Sequence, residues 1–188
     1  FVSRESVAPE LGEFDILAKV LTCGVCATDL MYLGAPGKVA GHEVRAARHA
    51  AHAYCAAHVV PALCPVDVGK VMAVGSSVKS LAVGQRIGMG FQHSACLSCH
   101  SCTHGYEQCC PKRKLLRHVD GGFASHVVWD SRFCFPIPEG LESRVASPLL
   151  CAGATVYSAL VNNGLAPGSR VGIIGIGGLG HLALQFLR

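Results

Sequence analysis

The run from Ala95 to Cys110 carries the densest chemistry in the chain: Cys96, Cys99, Cys102 and Cys110, spaced C-x2-C-x2-C-x7-C. Short loops of this spacing turn several thiolates inward onto one ion without help from distant segments. Zinc is the ion that takes four sulfurs in a closed tetrahedral site. The alternatives are a disulfide ladder or reduced, unliganded thiols. Cysteines stacked this closely lack good bridge geometry, and nothing suggests a small secreted scaffold. The spacing therefore predicts a structural zinc on Cys96, Cys99, Cys102 and Cys110. A closed site of this kind does no catalysis itself.

Other chemistry-bearing residues are scattered. Thr22-Cys23-Gly24-Val25-Cys26-Ala27-Thr28-Asp29 follows a strand pattern, and Gly41-His42-Glu43 puts an imidazole beside a carboxylate after a glycine turn. Cys151 and Thr155 stand four apart, on one face of an expected helix. Each piece alone is weak, since a lone histidine is more often a surface or satisfied core residue. Gly175-Ile176-Gly177-Gly178-Leu179-Gly180 is stronger because of its context. A buried-strand pattern, Arg170 to Ile174, precedes this G-x-G-x-x-G and a helical run, His181 to Leu187, follows it. Glycine lets such a turn tighten and lets backbone amides approach a pyrophosphate at the helix N-terminus. Dinucleotide binding is the reading this context favours over an ordinary glycine-rich turn.

The elements that must position these residues are mainly strands. Phe14–Leu21, Val68–Gly75, Lys79–Met89 and Gly121–Trp129 carry β patterns, and Phe135-Pro136-Ile137-Pro138 is a breaker-rich connection. A helix is expected with Ser147 as cap and Pro148 as first residue, ending at Asn162-Asn163-Gly164. Residues 45–67, with eight alanines and three histidines, interrupt a strand that resumes at Val68. They read as a biased insert without function rather than a metal site.

Composition sets bounds. An apolar fraction of 51% over 188 residues is ample for a core, and a net charge of +4 is mild. No basic run with interleaved aromatics marks a nucleic-acid surface. Eleven cysteines read as metal ligands and reduced thiols, which places the chain in the cytoplasm. Val171 to Leu187 is almost uncharged, yet its five glycines argue against a membrane span. The chain begins at Phe1 and stops at Arg188 inside a helical pattern, which reads as a fragment.

Taken together, these motifs resemble the zinc-dependent medium-chain alcohol dehydrogenases, closest to the cinnamyl-alcohol and yeast-type branch. The carriers are Cys-Ala-Thr-Asp at 26–29, Gly-His-Glu at 41–43, the four-cysteine lobe, Leu-Leu-Cys-Ala-Gly-Ala-Thr at 149–155 and Gly-Ile-Gly-Gly-Leu-Gly-His at 175–181. The resemblance implies an α/β chain: a GroES-like β-rich catalytic domain over 1–154, then the first βα unit of a Rossmann domain over 155–188. It implies a catalytic zinc on Cys26, His42 and Cys151, so that two zincs bind per chain. Thr28 would start the proton relay, Asp29 would stand behind the zinc-bound histidine, and Glu43 would lie close to the metal. Thr155 would contact the nicotinamide, and Gly175, Gly177, Gly178, Leu179 and Gly180 would cradle the cofactor phosphates. Cys55, Cys64, Cys109 and Cys134 match no ligand of the family.

The implied reaction passes a hydride between a primary alcohol/aldehyde pair and NAD or NADP, in a homo-oligomer when full length, with no nucleic-acid or membrane partner. Two thiolates and one imidazole leave an open zinc position, a ligand set tabulated for alcohol dehydrogenase. The alternatives are a non-catalytic zinc-binding remnant and a polyol or formaldehyde-type dehydrogenase of the same superfamily. The chain departs from the pattern in a short gap between Cys26 and His42, in Ala27, and in residues 45–67. Joining Val44 to Val68 would restore Gly-His-Glu-Val-Val-Gly-Lys-Val. The residue choosing between NAD and NADP lies about 20 residues beyond the glycine turn, past Arg188. The piece alone is therefore expected to bind zinc but to be inactive.

Overall fold

The structure, a computed structural model, describes residues 10–24, 67–116 and 122–188. Cys26, Thr28, Asp29, His42, Glu43 and the stretch 45–66 lie outside the described residues. Strands β1 (Asp15–Cys23), β2 (Asp67–Val74), β3 (Arg86–Met89), β6 (His126–Asp130) and β7 (Cys134–Pro136) form an antiparallel sheet in the order β6-β1-β2-β3-β7. β4 (Gln92–Ser94) and β5 (Lys114–Leu115) pair separately.

Alternation makes β1 a half-buried strand: Ile16 and Ala18 point into the core while Lys19 and Leu21 face out. Its register shifts between Leu17 and Ala18 and again between Val20 and Thr22, bending the strand as bulges do. Ile16, Ala18, Val71, Ile87, Met89, Leu116, Val127 and Trp129 make one core. The Trp129 ring is fully buried and stacks on His93 of β4 at 4.7 Å between centroids. That contact fastens the segment leading to Cys96 onto the main sheet. Burial pushes the His93 pKa down, so the ring sits there neutral.

A helical run follows the sheet: α2 (Ser143–Pro148), a π turn (Leu149–Gly153) and α3 (Ala154–Asn162). It starts four residues before the expected Ser147 cap, with Glu142 as N-cap and Ser147 buried inside the helix. The reason is tertiary. Arg86 on β3 donates hydrogen bonds to the carbonyls of Pro138, Glu139 and Leu141 and to the Ser143 hydroxyl, fixing the entry to the helix. Pro148 therefore falls inside the helix, where it has no amide to give the Arg144 carbonyl, and the backbone continues through the wider π turn. Among the described residues this 20-residue run, not Val171–Leu187, is long and apolar enough to cross a bilayer. Ala146, Ala152 and Val156 are nevertheless buried against protein.

The expected strand at Arg170–Ile174 does not form. Among the described residues no strand lies beside it, so its apolar residues stay out of any core and Ile174 is fully exposed. The helix after the glycines does form, as α4 (Gly178–Phe186).

Candidate metal and catalytic centre

The four-cysteine lobe is built locally. Ala95, Cys102 and Cys110 are buried in a small cluster with Cys96, Leu97, Cys99 and Phe133. Leu97 takes a left-handed φ of 55°, a conformation leucine adopts only under constraint, and it lies between the first two cysteines. Helix α1 (His100–Thr103) carries Cys102, and a 3-10 turn over Glu107–Cys109 delivers Cys110. The sulfurs of Cys96, Cys99, Cys102 and Cys110 all lie within 4.8 Å of one another. Cys99 and Cys102 are 3.5 Å apart, Cys96 and Cys110 also 3.5 Å, and Cys96 and Cys102 4.0 Å.

A tetrahedral zinc with bonds of about 2.3 Å requires sulfur–sulfur edges of about 3.8 Å, whereas a disulfide requires about 2.05 Å. The observed spacing fits the metal and excludes a bridge between these pairs. The thiols are also electrostatically unequal. Hydrogen bonds from the backbone and hydroxyl of Ser98 and the backbone of Cys99 bring the Cys96 pKa down to about 5. Desolvation, then its neighbours' thiols, push Cys102 up to about 12. Thiolates this crowded cannot all carry charge unless a cation sits among them. The expected set of four is therefore brought together in full.

Of the expected catalytic set, Cys151 and Thr155 are described. Cys151 is half-buried in the π turn and Thr155 is exposed on α3. π turns recur at functional sites because they reorient side chains within a helix. One contact anchors the start of the helix that leads to this turn and one holds the turn itself. The Thr22 hydroxyl donates to the Ser143 carbonyl at 3.2 Å, and the Leu150 side chain lies over Gly88, where an added Cβ would come within 2.5 Å of it. Gly88 pairs with Val68, and Cys23 with Asp67. The end of β1 and the start of β2 are thus paired beside the helical run that bears Cys151.

Sequence reasoning missed Asp67, at the end of the biased stretch. It is 1% exposed, and among the described residues no strong donor reaches either carboxyl oxygen. Burial raises its pKa from 3.8 to about 7, eased by the Cys23 thiol on the paired strand. Gly122 packs directly on the carboxyl. The signal available was its place immediately before a buried strand. Cys134 is buried in the main core and Cys109 is exposed, neither in the cluster.

In the glycine turn Gly175 has a φ of 87°, open to glycine but strained for other residues. An added Cβ at Gly180 would collide with the Gly175 carbonyl oxygen. Gly177 is the N-cap of α4, with Gly178 and Leu179 its first residues.

A bent antiparallel sheet carrying a lobe of four thiols spaced to hold a metal ion defines a GroES-like protein. The alcohol dehydrogenase GroES-like domain matches residues 12–139, and the chain belongs to that family. It is 37% identical over 192 residues to cinnamyl alcohol dehydrogenase 7 of Arabidopsis thaliana, covering 94% of this chain and 47% of that protein. It is 38% identical over 188 residues to an alcohol dehydrogenase of Geobacillus stearothermophilus, covering 98% of this chain and 50% of the relative. Among solved structures, a cinnamyl alcohol dehydrogenase from Sorghum bicolor superposes with a TM-score of 0.77 at 31% identity, over 98% of this chain and 53% of its own. One from Helicobacter pylori, complexed with NADP(H), gives 0.73 at 25% identity, over 95% and 49%. The chain spans about half the length of the curated relatives it matches.

Proposed function

We propose that this chain is the zinc-binding half of an oxidoreductase that moves a hydride between a primary alcohol/aldehyde pair, aromatic or aliphatic, and NAD or NADP. The observation that carries this reading is the four-thiol cluster, set in a chain whose relatives are alcohol dehydrogenases along their matched half. Cys96, Cys99, Cys102 and Cys110 hold a structural zinc that staples a lobe with little core of its own. Cys26, His42 and Cys151 hold a second. What supports that set is the contact of Leu150, next to Cys151, with Gly88, whose strand partner Val68 adjoins the paired Cys23 and Asp67.

When bound, the second zinc supplies Lewis acidity toward the alcohol oxygen, and the nicotinamide accepts the hydride. Thr28 takes the alcohol's proton and hands it outward. Asp29 accepts a hydrogen bond from the His42 imidazole and fixes its tautomer. Glu43 adjusts the charge near the ligands, and Thr155 contacts the nicotinamide. Gly175, Gly177, Gly178, Leu179 and Gly180 open a Rossmann unit beginning at 155. The left-handed φ at Gly175 and the close approach at Gly180 support that reading, because the fingerprint uses its glycines for a tight turn and close packing. The 188 residues alone do not turn over alcohol, and the reduced thiols suit a cytoplasmic protein.

Elemental analysis of the purified chain tests this. We expect two zincs per chain, falling to one in Cys151→Ser with the lobe's zinc retained. A wild-type value of one, unchanged by Cys151→Ser, supports instead a non-catalytic zinc-binding remnant. The buried Asp67, eased among the described residues only by the Cys23 thiol, favours that second reading, because a working strand end rarely buries a carboxyl without a strong donor.

A further inference from the structure

The outer face of the zinc lobe carries a second pair of metal-type donors that the four-thiol cluster does not use. His100 begins α1 and His104 caps its end, four residues on, so both rings project from one side of a single turn. Their centroids are 4.1 Å apart with a 39° tilt, and both residues are exposed. The His104 Nδ1 lies 2.8 Å from the His100 carbonyl oxygen, a distance at which it must donate its proton. That bond fixes the tautomer and leaves Nε2 as a bare lone pair. A backbone carbonyl holding one ring nitrogen so that the other faces outward is the usual support of a metal-binding histidine. The Thr103 hydroxyl, bonded to the Cys99 and His100 carbonyls, braces the same turn from within.

We propose that His100 and His104 form a solvent-open, exchangeable site for a late first-row divalent cation, separate from the buried zinc. Each imidazole gives one lone pair, and water completes the coordination. Imidazole pairs suit nickel, copper and zinc, with affinity rising toward copper. The pair has the four-residue separation of helical zinc motifs, with His104 at the C-cap rather than within the helix. The other reading of the stacked rings is a simple cap for the last turn of α1. That role asks nothing of a cation and needs no free lone pair.

The two are separated by titrating Ni2+ into the full zinc-loaded chain by calorimetry, with zinc content checked before and after. Wild type should bind one equivalent that neither His100→Gln nor His104→Gln binds at the wild-type affinity. Each variant should weaken that equivalent about a hundredfold, since the second donor acts at high effective concentration. The double variant should bind no more weakly than either single one, and all forms should keep the lobe's zinc. Retention of the equivalent in either single variant, or losses that simply add, would overturn the proposal. If a glutamine variant also loses zinc, His100→Asn and His104→Asn with intact zinc decide by the same criterion.

Discussion

Asp67 shows how one misplaced charge can govern a small protein's response to pH. The folded chain holds the proton on this carboxyl more tightly than the unfolded chain does, because burial penalises the anion by more than the Cys23 thiol eases it. A rise from 3.8 to about 7 corresponds to about 4 kcal/mol between the protonation states, an upper bound before the structure relaxes. The sign follows directly. The contribution is complete below pH 3.8 and is lost as pH climbs through about 7. Wild type should therefore unfold at lower urea at pH 8 than at pH 5. Asp67→Val should be more stable than wild type at pH 8 and show a flatter dependence between the two. Equal slopes for both proteins would mean that the carboxyl finds a partner in solution. The four thiols of the lobe were legible at this scale because their spacing alone folds them together. Asp67 was not, because its burial is set by Gly122 and the paired strands, which are distant in the chain.

At the scale of elements, local patterns and long-range contacts made different contributions. β1, β2 and β6 follow from alternation along their own residues, and the helix after the glycine turn from its period. The start of α2 could not be read that way. Proline at the first helical position is a sound local rule, but Arg86, reaching from β3, moved the start to Ser143. The apolar stretch before the glycines has the composition of a buried strand, yet a strand needs a neighbour to satisfy its amides. These long-range ties are testable. Arg86 donates to three carbonyls and one hydroxyl, and charge-assisted bonds contribute about 1.5–3 kcal/mol where they replace nothing better. Part of the guanidinium is solvated, so Arg86→Ala should cost about 2 kcal/mol in urea unfolding, toward the lower end for such bonds. Arg86→Lys should recover little, since an ammonium cannot span the same fork. If both variants match wild type, the helix entry is held by packing alone, with Leu150 on Gly88 as the tie.

For the molecule as a whole, the question is which chain this fold was built to accept. The sheet places position 67 opposite Cys23 on one side and Met89 on the other, at 1% exposure. Such a slot suits an apolar side chain. Excising residues 45–67 brings Val44 into it, directly before Val68, and restores Gly-His-Glu-Val-Val-Gly-Lys-Val without a gap. Shortening the connection between β1 and β2 also helps, though closure entropy changes by less than about 1 kcal/mol for such a cut. Most of the gain should come from removing the bare carboxyl. A chain of this size gains about 2–4 °C in Tm per kcal/mol. The deletion of 45–67 should therefore melt several degrees higher than the parent at pH 8 and lose the pH dependence that Asp67→Val also removes. It should keep two zincs, because Cys26, His42 and Cys151 are untouched. The mature transcript should lack the codons for this stretch if the segment is a retained intron. A lower Tm, or a fall to one zinc, would show instead that residues 45–67 belong to the working protein.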